Sequence, residues 1–257
     1  MRAAIALFVV LLGLQGAFWY QTHKIVPAMG VVPDVPSEHT LKALSFGDDQ
    51  ALYRLSALNL QNAGDTFGRF TALYKYDFNR LYHWFMLLGT LDNRSDYLPS
   101  MANYYFSQTQ NKSDVVYIVN YLEAFAKGRI ADKWWWQVQA AYLAQHKLED
   151  LDRALELARP LEEIHTIPLW AQQMPAFVLE KRGEFGDALQ IIEGILASEQ
   201  TLSQGELNFM RYFIEERLGA LEKVEPLLKR VDKSRITNQE NAPDLTSEEG
   251  LKKKLGK

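Results

Sequence analysis

The side chains that could do chemistry in this chain are few and scattered. Five histidines occur, at His23, His39, His83, His146 and His165. No two are spaced three or four residues apart, so no helix can present two imidazoles to one metal ion. The chain has no cysteine, which excludes disulfides, thiolate metal sites and a Cys nucleophile. No Gly-x-Ser-x-Gly stretch places a serine on a nucleophile elbow. Gly64-Asp65-Thr66-Phe67-Gly68-Arg69 carries the glycines of an anion-binding loop. It lacks the Walker spacing, the Lys-Ser/Thr ending and a preceding strand, and reads as a turn that ends a helix. The acidic pairs Asp48/Asp49 and Glu215/Glu216 read as solvated helix faces. No catalytic residue, metal ligand or cofactor site is expected.

Trp134-Trp135-Trp136 is the exception. Successive residues of a helix are about 100° apart, so three tryptophans span roughly 200°. Either two enter the core while the third packs on a neighbouring helix, or at least one lines a groove that meets a partner or lipid, because tryptophan is favoured at binding hot spots.

The elements that position these residues are predicted to be helices throughout. Phe78–Leu91 carries Leu81, Trp84, Phe85 and Leu88 at helical spacing. Tyr97–Thr109 follows, with Pro99 in its first turn, where proline is tolerated, then Ser113–Lys127 with a Ser cap. Asp132–His146 holds the triple tryptophan and Asp150–Glu163 completes that pair. Pro168–Arg182 and Phe185–Ser198 pair across Gly183, and Leu202–Leu218 and Leu221–Val231 come last. Ser37–Leu60 reads as a helix pair, or as one long helix interrupted near Gly47-Asp48-Asp49, with Leu41, Leu44, Leu52, Leu55 and Leu58 as its apolar spacing. No segment alternates with period two, so no strands are expected.

Ahead of this region, Ala3 to Tyr20 contains one polar residue, Gln15. Eighteen residues at about 1.5 Å each reach roughly 27 Å, the thickness of a bilayer core. Phe18-Trp19-Tyr20 sits where the far interface would lie. A cleaved signal peptide is the rival reading, but a single Arg in the leading region and the bulky aromatics after Leu14-Gln15-Gly16 favour an uncleaved anchor. Arg2 before the span and His23 and Lys24 after it give a weak charge bias; the reading adopted is an inner-membrane anchor with the domain in the periplasm. Residues 1–24 are thus the anchor, and 25–38, with Pro27, Pro33 and Pro36, a semi-rigid linker. Residues 39–232 form the helical domain and 233–257 a mobile polar tail. In the tail, Thr246-Ser247-Glu248-Glu249 resembles a capping box, and Lys252-Lys253-Lys254 reads as solvated more than lipid-bound.

Length and composition fit this division. The chain has 257 residues, 47% hydrophobic, enough for one domain of roughly 200 residues plus extras. Net charge is −4, which argues against nucleic acid as a partner.

An internal repeat gives the domain its architecture. Leu151, Ala154 and Leu155 recur 34 residues later as Phe185, Ala188 and Leu189. This resembles the tetratricopeptide motif, whose period is 34 residues. Its small residue on the first helix, turn glycine and small residue on the second helix are matched by Ala176, Gly183 and Ala188, with Phe185, Ile192 and Ile195 packing the groove. The preceding copy has Ala141 and Ala154, with Glu149 in place of the turn glycine. A third copy, with Gly219, Leu221, Val224 and Leu228, is degenerate, and an earlier one places Ile118 where Ala154 sits. Pro175 and Pro226 depart from the pattern and are expected to kink their helices.

The front half is also similar to a group of bacterial, N-terminally anchored tetratricopeptide-like proteins. The likeness lies in Leu44-Ser45-Phe46-Gly47-Asp48, Tyr53-Arg54, Tyr76-Asp77 through Trp84, Leu91-Asp92 and Tyr97-Leu98-Pro99, with Asn93 in place of the usual proline. The resemblance implies an all-α, right-handed α-α superhelix behind a transmembrane helix, and no enzymatic activity. A stack of such pairs has a concave face lined by first helices, the usual binding surface. The residues expected to meet a protein partner there are Trp135, Gln139, Gln172 and Arg211. The expected function is a membrane-anchored scaffold. A lipid- or small-ligand-binding module with a cavity near Tyr104, Tyr105 and Phe106 is the alternative, and an enzyme with a groove active site a further one.

Overall fold

The computed structural model describes residues 2–22, 30–66, 69–198, 202–219 and 236–237. The expected helix Leu221–Val231, Pro226 and nearly all of the polar tail lie outside these residues. Twelve α-helices are described: α1 Arg2–Thr22, α2 Glu38–Leu44, α3 Asp49–Gln61, α4 Phe78–Leu88, α5 Tyr97–Tyr104, α6 Lys112–Ala126, α7 Ile130–Leu143, α8 Leu151–Glu162, α9 Leu169–Gln172, α10 Met174–Arg182, α11 Phe185–Ala197 and α12 Gln204–Tyr212. Extended pairing among the described residues is limited to two ladders of two residues each. β1 (Asp65–Thr66) pairs antiparallel with β2 (Arg69–Phe70), and β3 (Leu202–Ser203) pairs parallel with β4 (Ile236–Thr237). β1 and β2 fall on the Gly64–Arg69 stretch read from sequence as a helix-ending turn. Gly64 lies against Tyr76, where a Cβ would collide with the phenol hydroxyl.

α1 is long and apolar enough to cross a membrane. Its Ile5–Thr22 window has a mean hydropathy of 1.5, and none of it is buried by the rest of the protein. The described part of the segment read as a semi-rigid linker is held against the helical body. Residues 31–32 bend, residues 33–37, with Pro33 and Pro36, join no helix or strand, and the segment is strapped to α4. Val32 is 1% exposed. The Arg80 guanidinium donates to the Val32 carbonyl at 3.1 Å and pairs with Asp34 at 3.0 Å, and Trp84 Nε1 donates to the Pro33 carbonyl at 2.9 Å. Backbone outside helix and sheet cannot satisfy its own carbonyls, so donors on α4 do so.

Local chemistry sets the helix ends. Ser37 accepts from the Thr40 N–H, Asp48 from Ala51, Asp77 from Arg80 and Asp150 from Arg153, each satisfying one orphan donor of a first turn. α6 begins after Asn111, which places Ser113 inside the helix and not at its cap. α2 and α3 are separated by Phe46 and Gly47 at φ 48° and 88°. That break resets the helical phase. The buried residues of α3 are therefore Tyr53, Ala57 and Leu60, while Leu55 and Leu58 of the expected apolar stripe are exposed. The expected helix Pro168–Arg182 divides at Gln173 into α9 and α10, with Pro175 in the first turn of α10.

Between α6 and α11 the main packing runs α6 on α7, α7 on α8, α8 on α10 and α10 on α11. Ala141, Ala154, Ala176 and Ala188 are all fully buried, where small side chains let helices approach closely. Phe185, expected in the groove, is half exposed at the start of α11. α7 and α12 each continue into a π-helical turn, Ala144–Leu148 and Phe213–Arg217. Three left-handed residues follow the first helices: Glu149 at φ 57°, Gly183 at 81° and Gly219 at 59°. Glu149 thus adopts the backbone conformation of the glycine that it replaces.

Candidate binding face

The rotation of α7 is fixed by a polar lock. Lys133, at φ −111° and ψ 21°, departs from helical geometry. Its buried side chain donates to the Arg94 carbonyl and to Asp96 Oδ1, both at 2.9 Å. Trp136 Nε1 donates to the same Asp96 oxygen at 2.9 Å. Lys133 also lies 4.7 Å from the centre of the Phe125 ring, a cation–π distance. Burial alone would raise the Asp96 pKa. The hydrogen bonds from Lys133 and Trp136 and the Lys133 charge outweigh it and hold the carboxyl below its ordinary range.

With Trp136 held inward, the 100° step per residue points Trp135 and Trp134 away from it; Trp134 is half-buried because it packs on Trp170 and the core edge. Trp135 is 37% exposed. Trp134, Trp135 and Trp170 of α9 meet edge to face, with centroids 5.8, 5.5 and 6.0 Å apart. Trp135 Nε1 donates to the Tyr104 hydroxyl of α5 at 3.3 Å. The sequence left open where the three tryptophans go: one is core, one is half-buried, and one lies on an aromatic surface.

That surface continues along α7 at helical spacing through Gln139, Tyr142 and His146. The Asn103 amide donates to Gln139 Oε1 at 3.0 Å, and the Tyr142 and His146 rings are 4.3 Å apart. Its echo lies 35 residues on. Trp170 touches Trp135, and Lys181 is close enough to His146 to act on it electrostatically, adding to the burial that lowers the His146 pKa. With Trp170 against Trp135 near the start of α7 and Lys181 within electrostatic reach of His146 just past its end, α7 and the α9–α10 segment run in the same direction. Phe177 then meets Phe209 and Phe213 beyond it, at 5.9 and 5.2 Å. Aromatic rings thus lie on α5, α7, α9, α10 and α12 in separate clusters, one around Trp135 and Trp170, one at Tyr142 and His146 and one around Phe177, which together make up the aromatic band.

The four residues expected at the interface fare differently. Trp135 is on this face. Gln139 is on it too, half-buried and bonded to Asn103. Arg211 is exposed on α12. Gln172 is a correction: it is 1% exposed and donates through Nε2 to the Ile167 carbonyl at 2.9 Å. The turn that leads into Pro168 leaves that carbonyl outside any helix ladder, and Gln172 turns inward to satisfy it. Gln137, 35 residues earlier, is also buried, but its amide donates to a carbonyl of the next helix, Leu157 of α8, at 2.7 Å. Trp170, Tyr142, Phe177 and Phe209 were missed. Trp170 and Phe177 echo Trp135 and Tyr142 at 35 residues; Phe209 falls outside that offset.

Open clefts lie elsewhere. One of about 700 Å³ runs between α8 and α11 and is lined by Arg159, Glu162, Asp187 and Glu193. Another of about 270 Å³ lies between α4 and α6 over Phe85, Tyr121 and Phe125. Neither is lined by Tyr104, Tyr105 or Phe106. Among the described residues no group of three or more His, Asp or Glu is placed to hold a metal ion. Comparison of the chain with protein-family models, curated proteins and solved structures finds no match.

Proposed function

We propose that this protein is a membrane-anchored helical-repeat scaffold that holds another protein at a bacterial cytoplasmic membrane, with its helical domain on the periplasmic side. The observation that carries this reading is the aromatic band on the first helices. Trp135, Trp170, Tyr104, Tyr142 and Phe209 are large rings left 37–58% exposed. Aromatic residues are the types that concentrate binding energy at protein interfaces.

The finer architecture proposed is a right-handed superhelix of tetratricopeptide-like pairs. Supporting it are the parallel first helices, the fully buried alanines at both small positions of two successive pairs, and the left-handed turn residues 149, 183 and 219. In such a stack the first helices line the concave side, which is where the aromatic band would lie.

The test is co-purification from detergent-solubilised membranes. Trp135→Ala combined with Arg211→Ala, and separately Trp135→Ala combined with Trp170→Ala, should reduce recovery of a specific partner about tenfold or more, the effect of losing a hot-spot residue. The helical circular-dichroism signal should be retained. Undiminished recovery with both double variants would place the interface elsewhere.

A further inference from the structure

The first helix pair carries a second exposed apolar surface, distinct from the aromatic band. Phe46, at the turn between α2 and α3, is 93% exposed, and Leu44, Leu55 and Leu58 are each about half exposed or more. Leu55 and Leu58 lie with Ala51 at spacings of four and three, one stripe along α3. The opposite side of α3 is already used: Tyr53, Ala57 and Leu60 are buried in the core. α3 is thus apolar on two faces, and only one is covered. Arg54, beside the stripe, is exposed and makes no ion pair among the described residues.

The chain itself says what lies within reach of this surface. α1 ends at Thr22, and Gly30 begins the strap that is fixed to α4. The eight steps from Thr22 to Gly30 can span at most about 30 Å even fully extended. The strap then runs directly into α2. If α1 lies in a bilayer, the α2–α3 pair is the first folded element outside it, and the strap prevents it from drifting away. A half-exposed stripe of leucines with a phenylalanine at its tip and an arginine beside it suits the boundary between acyl chains and headgroups.

We infer that the α2–α3 pair lies on the lipid surface, with Phe46, Leu55 and Leu58 at the headgroup boundary, as a second membrane contact that sets the orientation of the helical domain. It goes beyond the scaffold reading and does not use the aromatic band.

The absence of cysteine allows a clean test on the full chain. Single variants Phe46→Cys, Leu55→Cys and Leu58→Cys would carry a nitroxide in liposomes of phosphatidylethanolamine and phosphatidylglycerol. Val10→Cys on α1 and Glu156→Cys on α8 would serve as references. The expected result is that probes at 46, 55 and 58 are relaxed more by oxygen and several-fold less by a water-soluble nickel chelate than the probe at 156. Accessibilities equal to those at 156, with the probe at 10 in lipid, overturn the inference. Spin–spin broadening at 55 or 58 that disappears on dilution with unlabelled protein means that a second copy covers the stripe, and also overturns it. A probe at 10 that is exposed to the chelate shows instead that the anchor reading has failed, and the docking with it.

Discussion

Glu149 is the residue that best exposes the tension between sequence and backbone. A left-handed φ costs a non-glycine residue on the order of 1–2 kcal/mol, and Glu149 adopts one where the next copy has Gly183. Its salt bridge to Lys112, at 2.7 Å, lies on the surface, where such pairs contribute little. Glu149→Gly should therefore raise the urea midpoint, and Gly183→Ala should lower stability by about 1 kcal/mol. A lower midpoint for Glu149→Gly would mean that the Lys112 pair outweighs the backbone strain. Asp96 gives a pH-dependent counterpart. Its folded pKa is depressed, so its contribution is present above the ordinary carboxylate value of about 4 and is lost as pH falls through the folded value. Asp96→Asn should make the protein less stable at neutral pH while flattening the loss of stability below about pH 5. Melting curves across that range check this, and a variant that follows the wild-type acid slope would show that the Lys133–Asp96–Trp136 lock contributes nothing.

At the scale of elements, close packing of the second helices rests on alanine. Ala188 is fully buried, and Ala188→Leu should overpack it at a cost of about 1–3 kcal/mol. An unchanged denaturation midpoint would contradict the packing described. Helix positions from Phe78 to Ala197 were legible because a strong apolar period marks them, as in Leu81, Trp84, Phe85 and Leu88. What was not legible depended on tertiary partners. The strap at 30–37 reads as a linker until Arg80 and Trp84, some fifty residues away, supply its donors. The inward turn of Gln172 depends on the orphaned Ile167 carbonyl, and the phase of α3 on the break at Phe46-Gly47. The candidate face was half-readable. Trp135 stood out by its composition. Its continuation through Tyr104, Trp170 and Phe209 required knowing that α5, α9 and α12 lie alongside α7, which local periodicity does not encode.

For the whole molecule, the proposed function joins α1, the strap and the aromatic band into one arrangement: a helical body that would be held close to a membrane with a ring-lined face offered to a protein. If α1 stays attached, the intact mass of purified protein should include residues 1–22, and the protein should resist extraction by carbonate. Loss of roughly the first 16–20 residues, the length of a short signal peptide, would remove the anchor. The most direct test of the central claim is a photo-crosslinking amino acid placed at position 135, 142 or 170 in the full chain and irradiated in intact cells, with position 156 on α8 as the reference. A discrete protein adduct from the three band positions and none from 156 is the predicted result. Adducts only with lipid, or the same pattern from 156, would contradict a protein-binding role for this face.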